Sequence, residues 1–176
     1  MLTSWVKLDE EDFIKEDLWL KILKRTYQLP NGQLDDFYVK QEGPATCILA
    51  LTAEQKVVLV KQYRPGPDEI LLELPGGCIN EEELPETAAR REFLEETGYS
   101  GDFQFIGTSL DCAYSTMIRY NFVATQCYKV RDKQLDDTEF VKVVEMPLED
   151  FRNHLRSGKL TDVETGYLGL DFLGLL

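Results

Sequence analysis

Short apolar runs separated by turn signals dominate the middle of the chain. Residues 45–51 (ATCILAL) and 57–63 (VVLVKQY) are rich in apolar side chains, a pattern typical of strands that are covered on both faces. The sequence TAEQK between them predicts a hairpin turn. Residues 70–74 predict a short strand, and three more strands are predicted at 103–110, 119–125 and 140–146.

The N-terminal part of the chain shows partial alternation instead. Residues 19–28 (WLKILKRTYQ) and 34–41 flank a Leu-Pro-Asn-Gly turn signal, so together they predict a β-hairpin. Trp19 and Tyr27 are candidates for burial within it. The acidic stretch 1–17 has no such pattern, and we expect it to be mobile or loosely docked.

Three segments carry helix-forming sequence. Residues 84–97 have a proline in the first turn, where its missing N–H costs nothing, and they stop before Gly98. Residues 147–157 predict a second helix, and residues 161–173 predict a third that contains two glycines. Helices interleaved with strands indicate an α/β sandwich around a mixed sheet.

Length and composition favour one domain, or one domain with a small appendage. The chain has 176 residues, of which 43% are hydrophobic, enough for one core. We divide it into an N-terminal lead and hairpin (1–43) and a main domain (44–176). No apolar run is long enough to cross a membrane and no signal segment is evident, so we expect a cytoplasmic protein.

Charge and cysteine spacing exclude other classes. A net charge of −13 argues against a protein that binds nucleic acid. The four cysteines, Cys47, Cys78, Cys112 and Cys127, have no CxxC spacing, which predicts reduced thiols and neither a zinc site nor disulfides. The single histidine, His154, is expected at the surface, and no serine lies in a GxSxG sequence.

Three glutamates share one side of the first predicted helix. Glu92, Glu95 and Glu96 are spaced i, i+3 and i+4, so their carboxylates point the same way. Such like charges repel by roughly 0.2–0.5 kcal/mol per pair on an exposed helix. A cation such as Mg²⁺, which prefers carboxylate and carbonyl oxygens, would offset that repulsion. The alternative is a solvated acidic face.

The wider spacing of residues 77–99 is much more specific than the three carboxylates alone. Its fixed residues are Gly77, Glu83, Arg91, Glu92, Glu95, Glu96 and Gly98, with apolar residues at positions 93 and 99. A chance match to such a pattern is about 10⁻⁹ per start position. The stretch resembles the Nudix box, the signature of the Nudix hydrolases, at every position.

The resemblance implies a fold and an activity. The Nudix fold is an α/β/α sandwich around a mixed β-sheet, and the box forms a loop followed by a helix. The implied activity is hydrolysis of a nucleoside diphosphate linked to another group, with Mg²⁺ as cofactor and Mn²⁺ as the alternative. Arg91 would pair with Glu83 to brace the loop, while Glu92 and Glu96 bind metal with help from Glu95, which is also a candidate catalytic residue.

The sequence upstream of the box is similar to the ADP-ribose pyrophosphatase branch of the family. Residues 60–77 (VKQYRPG…LLELPGG) carry its QYR strand end and its glutamate before the glycines. The resemblance implies that the Gly76 carbonyl helps to hold metal and that Arg64 contacts substrate, which suits a guanidinium facing a diphosphate. Glu73 would touch the ribose or the metal shell. A solvated Arg64 and a structural Glu73 are the alternatives.

An acidic loop occupies residues 134–139 (QLDDTE). In ADP-ribose pyrophosphatases a loop in this place supplies the general base and a further metal contact. By order along the chain, Asp137 would be the base and Glu139 the metal ligand, with Glu139 also a candidate base. Asp136 remains an alternative register, and a plain acidic turn is the structural alternative.

One departure from the branch concerns substrate. Where ADP-ribose pyrophosphatases usually have a proline beyond the box, this chain has Tyr114, which resembles the diadenosine polyphosphate hydrolases. A nucleotide-sensing Nudix module without catalysis and an acidic interaction protein are further alternatives. The ADP-ribose branch also implies a homodimer whose hairpin crosses to the partner, where Trp19 and Tyr27 would stack on the base. Both aromatics are otherwise plain core.

Overall fold

The protein is described by a computed structural model over residues 6–12, 21–64, 66–134 and 141–176. The chain divides into two units: Met1–Gly43 with Leu110–Ile118, and Pro44–Ser109 with Arg119–Leu176. No helix among these described ranges is long and apolar enough to cross a membrane.

The first unit is built on a three-stranded antiparallel sheet in the order β1-β2-β3. Its strands are β1 (Val6–Asp12), β2 (Lys21–Gln28) and β3 (Leu34–Gln41). The turn between β2 and β3 is closed by Gly32, whose N–H donates to the Leu29 carbonyl at 2.8 Å with φ at +84°. The predicted N-terminal hairpin is therefore confirmed.

The expectation of a mobile or loosely docked N-terminus is wrong for residues 6–12. These residues pair with β2 along its length, with a register irregularity near Lys7. The register sets Glu10 opposite Arg25 and Glu11 opposite Lys24. The acidic sequence of these residues lacks the apolar alternation from which a strand is predicted.

The segment 110–118 belongs to this first unit through backbone hydrogen bonds to β3. The Lys40 N–H donates to the Tyr114 carbonyl at 2.8 Å, and the Thr116 N–H donates to the Lys40 carbonyl at 2.9 Å. The Lys40 ammonium lies 3.4 Å from the Asp111 carboxylate, and hydrogen bonding to Glu42 raises the pKa of Lys40. The segment thus lies along the end of β3 as a short parallel bridge.

The second unit contains a six-stranded mixed sheet. Its strands are β4 (Ala45–Thr52), β5 (Lys56–Arg64), β6 (Glu69–Glu73), β7 (Tyr99–Leu110), β8 (Ile118–Lys129) and β9 (Lys142–Pro147). The order is β6-β5-β4-β8-β7, with β9 also paired to β5. Strand β4 is parallel to β8 and antiparallel to β5, so the predicted mixed sheet is confirmed.

Helices cover both faces of this sheet. They are α1 (Pro85–Thr97), α2 (Leu148–Arg156) and α3 (Val163–Phe172). Ile48 and Ala50 of β4 pack with Phe93 of α1, whereas the alternate residue Leu49 packs with Phe151 of α2. Successive strand residues point to opposite faces, so β4 contributes apolar side chains to the core on each side of the sheet. The predicted α/β sandwich is therefore confirmed.

The glycines inside α3 are explained by close packing. A Cβ on Gly169 would lie 2.5 Å from Leu49 Cδ2, and a Cβ on Gly166 would lie 2.8 Å from Leu155 Cδ1. The helix therefore accepts two weak helix formers because larger residues would push it off β4 and α2.

The cysteines and the single histidine lie in different environments. All four cysteines are free, and burial raises the pKa of the Cys127 thiol to about 12. His154 was expected at the surface but is half-buried, because its Nε2 lies 2.9 Å from the Leu72 carbonyl oxygen.

Candidate functional site

A glycine loop leads from β6 into α1 and lies directly against β4. The Thr46 N–H donates to the Gly77 carbonyl at 2.8 Å, and the Ile48 N–H donates to the Pro75 carbonyl at 3.0 Å. A Cβ on Gly76 would collide with the Thr46 carbonyl oxygen. Glycine is needed here because the loop backbone touches the strand backbone.

Gly77 leaves room for the first of the helix carboxylates. A Cβ at this position would lie 2.5 Å from the carboxyl carbon of Glu92 and within 2.7 Å of both of its oxygens. The Glu92 carboxylate therefore rests against bare backbone. Gly77 and Glu92, the first and the fourth fixed residues of the motif, are therefore in contact, although one lies on the loop and the other on the helix.

Arg91 braces the loop as the resemblance implied. Its Nε and Nη2 donate to the two carboxylate oxygens of Glu83 at 2.9 and 2.8 Å, and Nη2 also donates to the Cys78 carbonyl at 3.1 Å. The Asn80 N–H donates to Glu83 at 3.0 Å. The Arg91 hydrogen bonds lower the pKa of Glu83 to about 2, and the same bonds raise the pKa of Arg91.

The same guanidinium also contacts two of the crowded glutamates. Arg91 Nη1 donates to Glu92 at 2.7 Å and to Glu95 at 3.2 Å. The positive charge that offsets their repulsion therefore comes in part from Arg91, which the sequence analysis assigned only to the loop. The i, i+4 spacing of Arg91 and Glu95 is the sequence signal that indicates this contact.

Glu96 is the most enclosed of the three carboxylates. The residue is 7% exposed, and its Oε2 accepts a hydrogen bond from the Gly76 N–H at 3.0 Å. By contrast, the side chains of Glu92 and Glu95 are 18% and 40% exposed. The helix and the glycine loop are thus joined by a charged hydrogen bond at the point where Gly76 was expected to take part in metal binding.

The donor chemistry of this face fits a hard divalent cation. Glu92, Glu95, Glu96 and the Gly76 carbonyl supply only oxygen atoms, and the bare backbone at Gly77 keeps the carboxylate of Glu92 next to the loop. Within the described residues, however, the side chains do not converge into a group of three acidic, histidine or cysteine ligands. In this arrangement Arg91 contacts Glu92 and Glu95, and the Gly76 N–H contacts Glu96.

Arg64 and Glu73 form a second polar cluster. Glu73 is 1% exposed, and its Oε2 accepts hydrogen bonds from Arg64 Nε at 2.7 Å and from Gln62 Nε2 at 2.9 Å. Its Oε1 accepts from Thr161 Oγ1 at 2.8 Å. Neither Gln62 nor Thr161 was among the predicted site residues. The register of β5 and β6 indicates Gln62, which lies diagonally opposite Glu73, but no local pattern indicates Thr161.

Four of the predicted residues lie outside the described part of the chain. They are Trp19, Asp136, Asp137 and Glu139. Tyr27 is described in the first unit, where its ring packs edge-on against Phe37 with centroids 5.7 Å apart. These two rings and the exposed Tyr114 line a cavity of about 420 Å³ in that unit.

Comparison with known proteins decides the family. A family model described as the NUDIX domain matches residues 41–163, more than half of the chain. The protein belongs to the Nudix family. The ADP-ribose pyrophosphatase of Bacillus subtilis is 30% identical to this Nudix protein over 167 residues, which cover 91% of this chain and 90% of the relative.

One further relative supports the assignment, and a solved structure shares the fold. The ADP-sugar pyrophosphatase of Mus musculus is 31% identical over 163 residues, which cover 82% of this Nudix chain and 75% of the relative. The crystal structure of an ADP compounds hydrolase superposes with a TM-score of 0.80 at 19% identity, and the match covers 100% of this chain and 99% of that structure. This second likeness shows the same fold.

Proposed function

We propose that this Nudix protein hydrolyses the diphosphate of ADP-ribose or a related nucleoside diphosphate sugar to a nucleoside monophosphate and a sugar phosphate. Relatives named as ADP-ribose, ADP-sugar and GDP-mannose pyrophosphatases align with most of the chain, which supports this substrate class. The observation that carries the proposal is the enclosed Glu96 beside Glu92 and Glu95, joined to the glycine loop that Arg91 braces.

We assign metal binding to Glu92, Glu95, Glu96 and the Gly76 carbonyl, with Glu139 as a further ligand. When bound, Mg²⁺ or Mn²⁺ supplies positive charge that neutralises phosphate oxygens and lowers the pKa of a water molecule. The chain's own contribution is to hold the carboxylates in place. Gly77 admits Glu92 to the loop, and the Gly76 N–H fixes one oxygen of Glu96.

We assign the diphosphate contact to Arg64. Its side chain is 47% exposed, and Nη1 and Nη2 have no hydrogen-bond partner within the described residues. A guanidinium with two outward donors suits the geometry of phosphate oxygens. Direct contact between Glu73 and the substrate is less favoured than a structural role, because both oxygens of Glu73 are already bonded to protein side chains.

The general base comes from the acidic loop in this proposal. Asp137 or Glu139 would take the proton of the attacking water, with Asp136 as the alternative register and Glu95 as the candidate on the helix. Replacing each in turn by the matching amide tests the assignment. The base is the residue whose loss lowers kcat most and removes the acidic limb of the pH–rate profile.

A substrate panel tests the proposed function as a whole. Purified protein with Mg²⁺ is incubated with ADP-ribose, GDP-mannose and diadenosine tetraphosphate, and released nucleotides are measured by chromatography. Release of AMP and ribose 5-phosphate from ADP-ribose is the expected result. Tight binding of ADP-ribose without release would instead identify a sensing module, and absence of both would refute the proposal.

Tyr114 favours diadenosine polyphosphates as the second candidate substrate. The residue is 54% exposed and lines the aromatic cavity of the first unit together with Tyr27 and Phe37. Exposed aromatic rings stack readily on nucleobases. Faster hydrolysis of diadenosine tetraphosphate than of ADP-ribose would support this second candidate.

We also propose a cytoplasmic homodimer. The free cysteines fit a reducing compartment, and β1 is an outer strand of the three-stranded sheet within the described residues, a position that suits pairing with a second copy. Trp19 and Tyr27 would then help to bind the base. A monomer by light scattering would refute the dimer and, with it, base binding by a crossed hairpin.

A further inference from the structure

The buried carboxylate of Glu73 controls the direction of Arg64. A guanidinium is planar and rigid, so fixing its Nε–H fixes the directions of its terminal donors. Nε of Arg64 donates to Glu73 Oε2 at 2.7 Å, while the side chain as a whole is 47% exposed. The arginine is therefore anchored from the inside and presents its free end outward.

The anchor is itself held by two further side chains from different segments. Gln62 lies on β5 and bonds Oε2 of Glu73, while Thr161 lies before α3 and bonds Oε1. These two donors fix the rotation of the Glu73 carboxylate about its Cγ–Cδ bond. The residue Thr161 is exposed, but its hydroxyl faces a carboxylate that is 1% exposed.

We propose that Gln62, Glu73 and Thr161 are positioning residues that orient Arg64 toward the diphosphate of the substrate. This inference rests on the proposed function. Orienting a long side chain before the substrate arrives removes part of the ordering cost of binding. These three residues therefore increase the affinity for substrate, and they do so only through Arg64.

The structural alternative is that Thr161 merely supports the start of α3. Its hydroxyl also lies 3.1 Å from Asp162, the residue that precedes the helix. A structural role would lower stability and would act whether or not Arg64 is present. The two roles are separated by the KM and by a double-mutant cycle with Arg64.

The experiment removes each donor while keeping the size of the side chain. Thr161→Val and Gln62→Met should each raise the KM for ADP-ribose roughly threefold to tenfold, with kcat changed by less than about twofold. Thr161→Ser should restore the KM, because the hydroxyl returns. The matched control is Thr165→Val, which removes a buried hydroxyl that bonds Asn121 at 2.6 Å and does not contact Glu73.

The cycle with Arg64→Ala decides between the two roles. In that background Thr161→Val and Gln62→Met should leave the KM unchanged, since the residue they orient is gone. An unchanged KM in the wild-type background, or a rise that persists with Arg64→Ala, would overturn the proposal.

A binding measurement separates this inference from the proposed function. The Kd of a methylene-bridged ADP-ribose, which cannot be hydrolysed, is measured by calorimetry for the same variants. If the wild-type protein binds the analogue but hydrolyses nothing, the Kd ratios still decide the role of Thr161. A wild-type protein that neither hydrolyses nor binds would overturn both.

Discussion

The glycine loop with α1 and the cluster around Arg64 are built in opposite ways. The hydrogen-bond partners of Arg91 described above lie at most 13 residues away in the sequence, and its side chain is 27% exposed. Glu73, by contrast, is 1% exposed and bonds Thr161, which lies 88 residues away. The first region is assembled within one short segment, whereas the second joins segments that are far apart in the sequence around one buried carboxylate.

The two regions are proposed for two different tasks in the reaction. The loop and helix carry the carboxylates proposed for the chemical step, and their geometry follows from one short segment. The Arg64 cluster is proposed for substrate binding, and its geometry follows from the fold of the second unit. We therefore expect damage to the first region to lower kcat and damage to the second to raise KM.

The largest expected effect tests the first half of this contrast. Glu96→Gln keeps the size of the side chain and an acceptor for the Gly76 N–H but removes the charge. We expect kcat to fall about 10²–10³-fold, because electrostatic stabilisation of the transition state is lost. Steady-state kinetics with ADP-ribose and Mg²⁺ measure kcat, and circular dichroism verifies that the variant is folded.

The matched control lies on the same helix. Glu86→Gln removes a carboxylate whose side chain is 55% exposed and which pairs with Arg90. Surface pairs of this kind contribute little, so kcat should change by less than about twofold. If Glu96→Gln retained a kcat close to that of the control, the assignment of the loop and helix to chemistry would be wrong.

The same contrast explains what the sequence could predict. The α1 segment and the Gly98 stop follow from local sequence, and Gly98 indeed adopts φ +76° with its N–H bonded to the Leu94 carbonyl. The Arg91–Glu83 pair was implied by the resemblance to the Nudix box, and the two side chains are in contact. The apolar β4 indicated a doubly covered strand because alternate residues face two cores.

Other features depend on long-range pairing that no local pattern shows. The strand β1 was missed because its acidic sequence has no apolar alternation, and only the register with β2 shows it. Thr161 was missed because its partner Glu73 comes near it only once α3 packs on β4. The contact of Arg91 with Glu95 is the exception, because the i, i+4 spacing on α1 already indicates it.

A smaller effect is expected at the contact between loop and helix. Gly77→Ala places a Cβ 2.5 Å from the carboxyl carbon of Glu92, so the carboxylate or the loop must shift. A displacement of this size should lower kcat roughly 10–100-fold. Gly43→Ala is the control, since a Cβ there meets nothing within 4 Å. Equal kcat values for the two variants would show that the position of Glu92 does not limit the reaction.

The smallest effect concerns acid stability and tests whether the brace in the local region is ionic. Hydrogen bonds from Arg91 lower the pKa of Glu83 from 4.5 to about 2 in the folded protein. The folded state thus holds the proton less tightly than the unfolded state. Glu83 stabilises the fold fully above about pH 4.5, and this contribution is lost as the pH falls toward about 2.

Urea unfolding of the wild-type protein and of Glu83→Gln at about pH 6 and about pH 3 measures the effect. The difference in free energy of unfolding between the two proteins should be smaller at the lower pH, because the unfolded wild-type chain is then protonated. An equal difference at both pH values would mean that the charge of Glu83 does not contribute to the free energy of unfolding. The pairing of Arg91 with Glu83 would then contribute to the loop only through its geometry.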